Sequence, residues 1–182
     1  GALLLDTRRP AHLGEGPRSS FETAVCAAAS IGVHLSREGL GLRLITDQGP
    51  QRLGEAGGAH ALLDALALVR PSRSRTLEPA FAALRQDGGD GLIVAVLGMV
   101  DPEEARALAR LRRGTATGVA VLLDVPTWQR PAAAEGPEYR AVCTVLAAAG
   151  WRIVRLPAGT SPAAVWPQAA QRGRPALSGG TP

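Results

Sequence analysis

The chain has 182 residues, of which 46% are hydrophobic and 20% are charged, and its formal net charge is +4. This composition is that of a globular protein and excludes disorder along the whole chain. The longest uncharged apolar stretch, residues 91–100, is far shorter than the ~20 residues that a membrane-spanning helix requires. All 20 basic residues are Arg, and no aromatic residues are interleaved with them, so the sequence gives no support to nucleic-acid binding.

The length predicts one domain over residues 1–172, followed by a flexible tail over residues 173–182. The sequence enters a predicted strand at Ala2 with no initiator Met and no leader, so we expect it to be a piece of a longer protein. Cys26 and Cys143 are far apart, and each lies in an Ala- and Val-rich helical pattern. We expect both to be buried small residues and not partners in a disulfide or a zinc site.

Helical and strand patterns alternate in the first half of the sequence. Ser19–Glu22 reads as a capping box for a helix that continues to about Glu38. Leu40–Thr46 alternates apolar residues with Gly and Arg, which is typical of a strand near the edge of a sheet. A turn around Gly49 favours Gln51–Gly54 as a short hairpin partner for that strand.

Two more helices and a strand are predicted in the middle of the sequence. One helix carries Leu62–Val69, and the next begins near Thr76 as its N-cap. Leu92–Leu97 is apolar without interruption, as expected for a central strand that is buried on both faces. Asp101–Glu104 supplies a cap, a first-turn Pro and a capping acid for a helix that runs to Arg113.

The last third of the sequence continues the same alternation. Val119–Asp124 is a second uninterrupted apolar strand, and the helix after it carries Tyr139–Leu146 and ends at Gly150. Trp151–Leu156 alternates apolar residues with Arg, which indicates a more peripheral strand. A final helix is predicted to begin at Ser161.

These patterns together predict an α/β fold: a doubly wound, mostly parallel Rossmann-like sheet with helices on both faces. The strands Ala2–Asp6, Leu92–Leu97 and Val119–Asp124 should be central, adjacent and parallel. Strand order then reverses between the first of them and the second. In such sheets ligands bind at this reversal, so we expect a site where the loops 6–9 and 98–101 meet.

The predicted crevice contains Asp6, Arg8, Arg9 and Asp101. A carboxylate at a strand end can help to hold Mg²⁺, but Arg8 and Arg9 would oppose a dication. We therefore expect Asp6 to be neutralised by an Arg or by backbone amides, and Asp101 to be a helix cap. An alternative also remains, in which the protein is a small enzyme or binds phosphate or a metal through the crevice at Asp6.

Familiar catalytic motifs are absent from the sequence. It contains no Gly-x-Gly-x-x-Gly after the first strand, no phosphate-binding loop because it has no Lys, and no Gly-x-Ser-x-Gly elbow. His12, His34 and His60 do not have metal-ligand spacing. These absences predict no enzymatic activity, no cofactor and no metal. Asp124 is interpreted as a strand-end cap in preference to a general base, and Trp128 either anchors a partner or covers the edge of the sheet.

Three segments carry a family resemblance: Leu3–Arg8, Ser20–Ile31 and Gly41–Thr46. They resemble the carboxy-terminal von Willebrand factor A-like domain of the MoxR-associated membrane proteins, a domain-of-unknown-function family with the number 58. The resemblance implies amino-terminal membrane helices outside this sequence, which would hold the domain at the cytoplasmic face of a membrane. It also implies a protein partner, with a MoxR-type AAA+ ATPase as the candidate.

The resemblance also implies a particular site. Von Willebrand factor A-like domains bind a metal through Asp-x-Ser-x-Ser after the first strand, a Thr in a later loop and an Asp after the fourth strand. Here Asp6 matches the first Asp and Thr76 matches the Thr, but Arg8 and Pro10 replace the two Ser, and no acid stands near Gly98. The implied function is a non-enzymatic protein-interaction domain with a degenerate metal-ion-dependent adhesion site. The alternative of a small enzyme or a phosphate- or metal-binding domain would use Asp6, Thr76 and Asp101.

Overall fold

Apolar strands form the centre of one six-stranded sheet, which has helices on both faces. The computed structural model describes residues 1–54, 58–86, 91–112, 114–163 and 166. The strands are β1 (Ala2–Leu5), β2 (Arg43–Thr46), β3 (Gly49–Pro50), β4 (Leu92–Leu97), β5 (Thr117–Asp124) and β6 (Arg152–Pro157). The α-helices are α1 (Ser20–Arg37), α2 (Gly58–Leu68), α3 (Glu78–Gln86), α4 (Pro102–Ala109) and α5 (Pro137–Ala148).

The strands lie in the order β3-β2-β1-β4-β5-β6. All neighbours are parallel except the short β3, which pairs antiparallel with β2. In β1 and β4 the residue pairs run from Ala2 beside Ile93 to Leu5 beside Val96. Both strands are buried over these residues, and so is β5 from Gly118 onward. The prediction of three central, adjacent and parallel strands is therefore confirmed.

Two cores cover the two faces of the sheet, because alternate residues of each strand point to opposite faces. On one face, Leu4 and Ala95 of the sheet belong to a cluster that includes Phe81 of α3 and Leu146 of α5. On the other face, strand residues such as Leu3 join a cluster formed with α1 and α2. Helices on both faces explain why β1 and β4 carry no polar residues, and why β5 carries none between its end residues Thr117 and Asp124.

Five local predictions need correction or fall outside the described residues. The antiparallel partner of β2 is Gly49–Pro50 and not Gln51–Gly54, because the turn is tight enough for Gly49 to pair directly with Thr46. Helix α4 ends at Ala109 and not at Arg113. Cys26 was predicted to be buried but is exposed, because the buried face of α1 is formed by Ala24, Ala28 and their helical neighbours. The predicted last helix lies mostly, and the predicted tail lies wholly, outside the described residues.

Within the described part of the chain, no helix combines the length and apolar character needed to cross a membrane.

Candidate functional site at the carboxyl edge of the sheet

The loops that follow β1 and β4 lie against one another at the carboxyl edge of the sheet. The amide of Met99 donates to the Ala11 carbonyl oxygen at 2.8 Å, and the amide of Asp6 donates to the Val96 carbonyl oxygen at 2.9 Å. Gly98 permits this approach, because a Cβ at that position would lie 2.4 Å from the Ala11 carbonyl oxygen. The two loops thus meet at the reversal of strand order, as predicted.

The carboxylate of Asp6 is fully buried, and protein donors occupy both of its oxygens. Oδ1 accepts hydrogen bonds from the Arg8 amide at 3.1 Å and from Arg8 Nε at 2.9 Å. Oδ2 accepts from Arg8 Nη2 at 2.9 Å and from the Gly98 amide at 3.3 Å. The expected neutralisation of Asp6 by an arginine and by amides is observed, and Arg8 is the arginine that supplies it.

Arg8 is buried and joins two acidic residues from different parts of the chain. Its Nη1 donates to Oε1 of Glu104 at 2.5 Å, and its Nη2 also donates to the Met99 carbonyl oxygen at 3.2 Å. Burial acts against the charge of the guanidinium, but the hydrogen bonds and the attraction of Asp6 and Glu104 outweigh it and raise the pKa of Arg8. Arg8 is therefore a permanent cation between two carboxylates.

A capping box at the start of α4 brings Glu104 to Arg8. The Asp101 carboxylate accepts from the amides of Glu103 and Glu104, both at 2.8 Å, and Oε2 of Glu104 accepts from the Asp101 amide at 3.2 Å. Burial raises the pKa of Glu104, while Arg8 and the Asp101 amide act in the opposite direction. Asp101 is thus the helix cap that the sequence predicts, and Glu104 is the acid that faces the crevice.

His12 links the loop after β1 to the start of α1. Its Nε2 lies 2.8 Å from the Asp6 carbonyl oxygen, and its Nδ1 lies 3.1 Å from Oγ of Ser20. A carbonyl oxygen can only accept, so Nε2 carries the proton, and Nδ1 of the neutral ring accepts from Ser20. Burial lowers the pKa of His12, which favours this neutral form.

A second buried carboxylate, Asp47, follows β2 beside the first. Its Oδ1 accepts from the Thr7 amide at 2.9 Å and from the Thr7 hydroxyl, and its Oδ2 accepts from Oγ of Ser72 at 2.5 Å. All of these donors are neutral. Asp47 thereby holds the loop at Ser72 against the loop at Thr7, and an amide–carbonyl bond of 2.7 Å between Ser72 and Thr7 reinforces this contact.

The structure places the Thr76 side chain outside the hydrogen-bonded group around Asp6. Its side chain is exposed, and its hydroxyl accepts a hydrogen bond from the amide of Glu78 at 3.1 Å, at the start of α3. The hydroxyl that enters the buried site from this loop belongs to Ser72, four residues earlier. Within the described residues the side chains of Thr76 and Asp101 each bind only the start of their own helix, and neither is bonded to Asp6.

Arg9 and Trp128 differ in their surroundings. The side chain of Arg9 is exposed, and its amide donates to the Ser72 carbonyl oxygen at 2.9 Å. Trp128 is half-buried against the core beneath α1, and its indole nitrogen donates to the Arg18 carbonyl oxygen at 2.8 Å. Of the two predictions for Trp128, the geometry fits a residue that covers the end of the sheet.

Asp124 at the end of β5 also has an arginine partner. Its Oδ2 accepts from Nε of Arg155 at 3.0 Å and from Nη2 of the same guanidinium. Nε of Arg155 also lies 3.2 Å from Oε1 of Glu135. Asp124 is thus the counter-ion of an arginine on β6. The prediction of a strand-end cap was wrong, because the Asp124 side chain makes no capping hydrogen bond and binds Arg155 instead.

The residues of this crevice do not fit a divalent cation. Both Asp6 oxygens accept hydrogen bonds, and the positive charge of Arg8 lies where a metal would have to approach them. Nor does the described part of the chain contain a group of three or more His, Cys, Asp or Glu residues that could hold a metal ion. The ion pairs and hydrogen bonds of Asp6 and Arg8 can fix the conformation of the two loops. The exposed side chain of Arg9 lies on one of these loops.

Comparisons with protein-family models, with curated proteins and with solved structures find no match for this chain.

Three residues of the site were not predicted from the sequence: Glu104, Asp47 and His12. Glu104 already had a complete explanation as a capping acid, and nothing in the sequence indicates its second contact. Asp47 directly follows the apolar end of β2, as Asp6 follows β1, and this repeated position is the signal that could have found it. For His12 no such signal exists, because its partners come from the fold of its own loop.

Proposed function

We propose that this chain is a non-enzymatic protein-interaction domain of the von Willebrand factor A-like type, and that its adhesion site is degenerate. The observation that carries the proposal is the position of Arg8, whose guanidinium binds both Asp6 oxygens and one oxygen of Glu104. An arginine in this place supplies the positive charge that a metal supplies in an intact site. The order of the strands and the position of the site at their reversal also support the proposal.

The partner that we propose is a MoxR-type AAA+ ATPase. In the longer protein, segments outside this sequence would hold the domain at the cytoplasmic face of a membrane. The support for both statements is the resemblance of the segments around β1, α1 and β2 to the MoxR-associated membrane proteins.

The alternative of a small enzyme or a phosphate- or metal-binding domain has less support. It requires Asp6, Thr76 and Asp101 to act together, but the oxygens of Asp6 are occupied, and the other two residues bind their own helix starts. Both Asp6 oxygens already accept hydrogen bonds from Arg8 and from backbone amides, so neither is free to bind a ligand.

A melting experiment tests the degenerate site. We expect millimolar Mg²⁺ or Mn²⁺ to leave the melting temperature of the protein unchanged, because ligand linkage requires a binding site and Arg8 occupies this one. A saturable increase in the melting temperature that disappears in Asp6→Ala would show that the site binds metal, and it would revive the alternative function.

A capture experiment tests the partner. The immobilised full-length protein should retain a MoxR-type ATPase from the same organism in buffer without divalent cations. Arg9→Glu, at the exposed rim of the crevice, should weaken the retention, while Arg37→Glu at the distant end of α1 should not. Failure of the wild-type protein to retain the ATPase would overturn this part of the proposal.

A further inference from the structure

An open cavity of about 620 Å³ lies beside the candidate site, and arginine side chains dominate its lining. We call it the arginine basin; it is lined by Arg8, Arg9, Arg73 and Arg75 together with Pro10 and Met99. No acidic side chain is among its lining residues. The basin is therefore a concentration of positive charge on a protein whose net charge is only +4.

Backbone hydrogen bonds hold the loops that carry these arginines in place. The Arg9 amide donates to the Ser72 carbonyl oxygen at 2.9 Å, and the Ser72 hydroxyl is bound to the buried Asp47. The next turn is fixed by a bond of 3.2 Å from the Ser74 amide to the Ser72 hydroxyl. The residues before and after Arg73, Ser72 and Ser74, are therefore both held by hydrogen bonds. Little further ordering of this loop is needed when a ligand binds.

The positive charges at the rim of the basin are not compensated. Arg8 is committed to Asp6 and Glu104, whereas the exposed side chains of Arg9, Arg73 and Arg75 have no acidic partner among the described residues. Three guanidinium groups around one cavity repel one another and attract an anion. Guanidinium groups match the planar geometry of carboxylates, to which they donate pairs of hydrogen bonds.

An apolar cavity adjoins the basin. Met99 is 42% exposed and lines both the basin and a second cavity of about 270 Å³ at the carboxyl ends of β4 and β5. Most of its other lining residues are apolar, among them Val100 and Leu122, and Tyr139 and the acidic Glu138 also line it. A ligand that spans Met99 would therefore place negative groups over the arginines and an apolar group beyond them.

We propose that these two cavities together bind an acidic peptide segment of a partner protein, with carboxylates on Arg9, Arg73 and Arg75 and an apolar side chain beyond Met99. This inference rests on the proposed function and specifies the chemistry of its partner. A peptide is favoured over a nucleic acid because no aromatic ring lines the basin, so no base can stack beside the arginines. Among the lining residues of the two cavities Tyr139 is the one aromatic residue, whereas single-strand binding sites use several rings for successive bases.

Fluorescence anisotropy with defined probes tests the proposal. The main probe is a fluorescein-labelled peptide of repeated Asp-Glu-Leu units. In one matched peptide Gln replaces every acid, in a second Gly replaces every Leu, and an oligouridine of similar length represents nucleic acid. The protein variants are Arg73→Glu/Arg75→Glu and a control with the same change of charge, Arg37→Glu/Arg152→Glu, at exposed positions near the amino edge of the sheet.

We expect saturable binding of the acidic peptide, weakened about tenfold or more by Arg73→Glu/Arg75→Glu because charge-assisted contacts are lost. The control variant should bind like the wild type, the Gln peptide should not bind, and the Gly peptide should bind more weakly than the main probe. Absence of saturable peptide binding, equal effects of the two variants, or tighter binding of the oligouridine would each overturn the inference.

The capture experiment separates this inference from the proposed function. If the ATPase is retained equally by the wild type and by Arg73→Glu/Arg75→Glu, the interaction function stands and the acidic-peptide site is wrong. If the peptide binds through the basin but the ATPase is not retained, the site stands and the partner is wrong.

Discussion

Two strand ends in this molecule carry the same pair of residues in different surroundings. Asp6 after β1 pairs with Arg8, and Asp124 at the end of β5 pairs with Arg155. Both carboxylates are buried, but the Arg8 side chain is only 6% exposed, whereas that of Arg155 is 39% exposed. The Asp6 pair also includes Glu104 and two backbone amides, while Arg155 reaches the half-exposed Glu135.

The difference shows that the cost of losing an arginine depends on whether water can take its place. Around Arg155, water can solvate the guanidinium and approach the pair. Arg8 borders an open cavity, but its side chain is buried, so removal of the cation leaves the fully buried Asp6 and the mostly buried Glu104 without their counter-ion. Stability measurements at the two sites can test this account.

The largest effect is expected for Arg8→Met. This change keeps much of the side-chain volume but removes the cation between Asp6 and Glu104, and breaking a buried pair in this way costs about 3–5 kcal/mol. Urea unfolding followed by circular dichroism would measure the loss in the free energy of unfolding. A loss below that of Arg155→Met would contradict the comparison between the two strand ends.

A smaller loss is expected for Asp6→Asn in metal-free buffer. The substitution preserves shape but removes the charge that Arg8 and two amides bind, at a cost of about 1–3 kcal/mol. The melting temperature should therefore fall. An intact metal site behaves in the opposite way, because loss of one acid relieves repulsion among the empty ligands, so an increase in melting temperature would favour the metal-binding alternative.

Arg155→Met should have a still smaller effect. Partly exposed ion pairs contribute about 1 kcal/mol or less, because salt and water screen them. We expect a loss of that size in the free energy of unfolding in the same urea experiment. At high salt the difference in the free energy of unfolding between wild type and Arg155→Met should become smaller. Persistence of a large loss at high salt would show that the Asp124 pair is as isolated from solvent as the Asp6 pair.

A pH series adds a test that applies only to the first strand end. Burial lowers the pKa of His12, so below about pH 6.5, the ordinary pKa of His, the unfolded chain takes up a proton before the folded protein does. The contribution of His12 to the free energy of unfolding is therefore present at neutral pH and declines as the pH falls through this range. We expect His12→Gln to remove part of the decline in stability between pH 7.5 and 5.5.

Glu104 titrates in the opposite sense, since its raised pKa makes the folded protein hold a proton more readily than the unfolded chain. The difference in the free energy of unfolding between wild type and His12→Gln at each pH gives the contribution of His12 alone, because Glu104 is present in both proteins. An identical pH dependence in the two proteins would contradict the neutral, hydrogen-bonded state assigned to His12.

The sheet was predictable because β1, β4 and β5 have apolar residues on both faces, and this pattern fixes both their type and their central position. Strand β3 was misplaced because two residues are too few to show any periodicity. The pairing of Asp6 with Arg8 was also predictable, since two charges that follow a buried strand so closely have few other partners within reach.

The rest of the site depends on contacts between distant parts of the chain. Asp47 binds Ser72, which is 25 residues away, and Thr7, which is 40 residues away. In the stretch from Ser72 to Thr76 three residues carry hydroxyl groups, and the sequence alone does not show which of them turns inward. The family resemblance selected Thr76, whereas the backbone contacts of the Thr7 loop select Ser72.

The covalent attachment of Arg8 has a consequence for when this edge of the protein is ready to bind. A metal ion has a dissociation constant, so the occupancy of a metal site varies with supply, with chelators and with competing ions. The Arg8 cation is part of the polypeptide, so it is present in every folded molecule and does not dissociate. The shape of the surrounding loops is therefore set once, at folding, and does not depend on the ionic composition of the compartment.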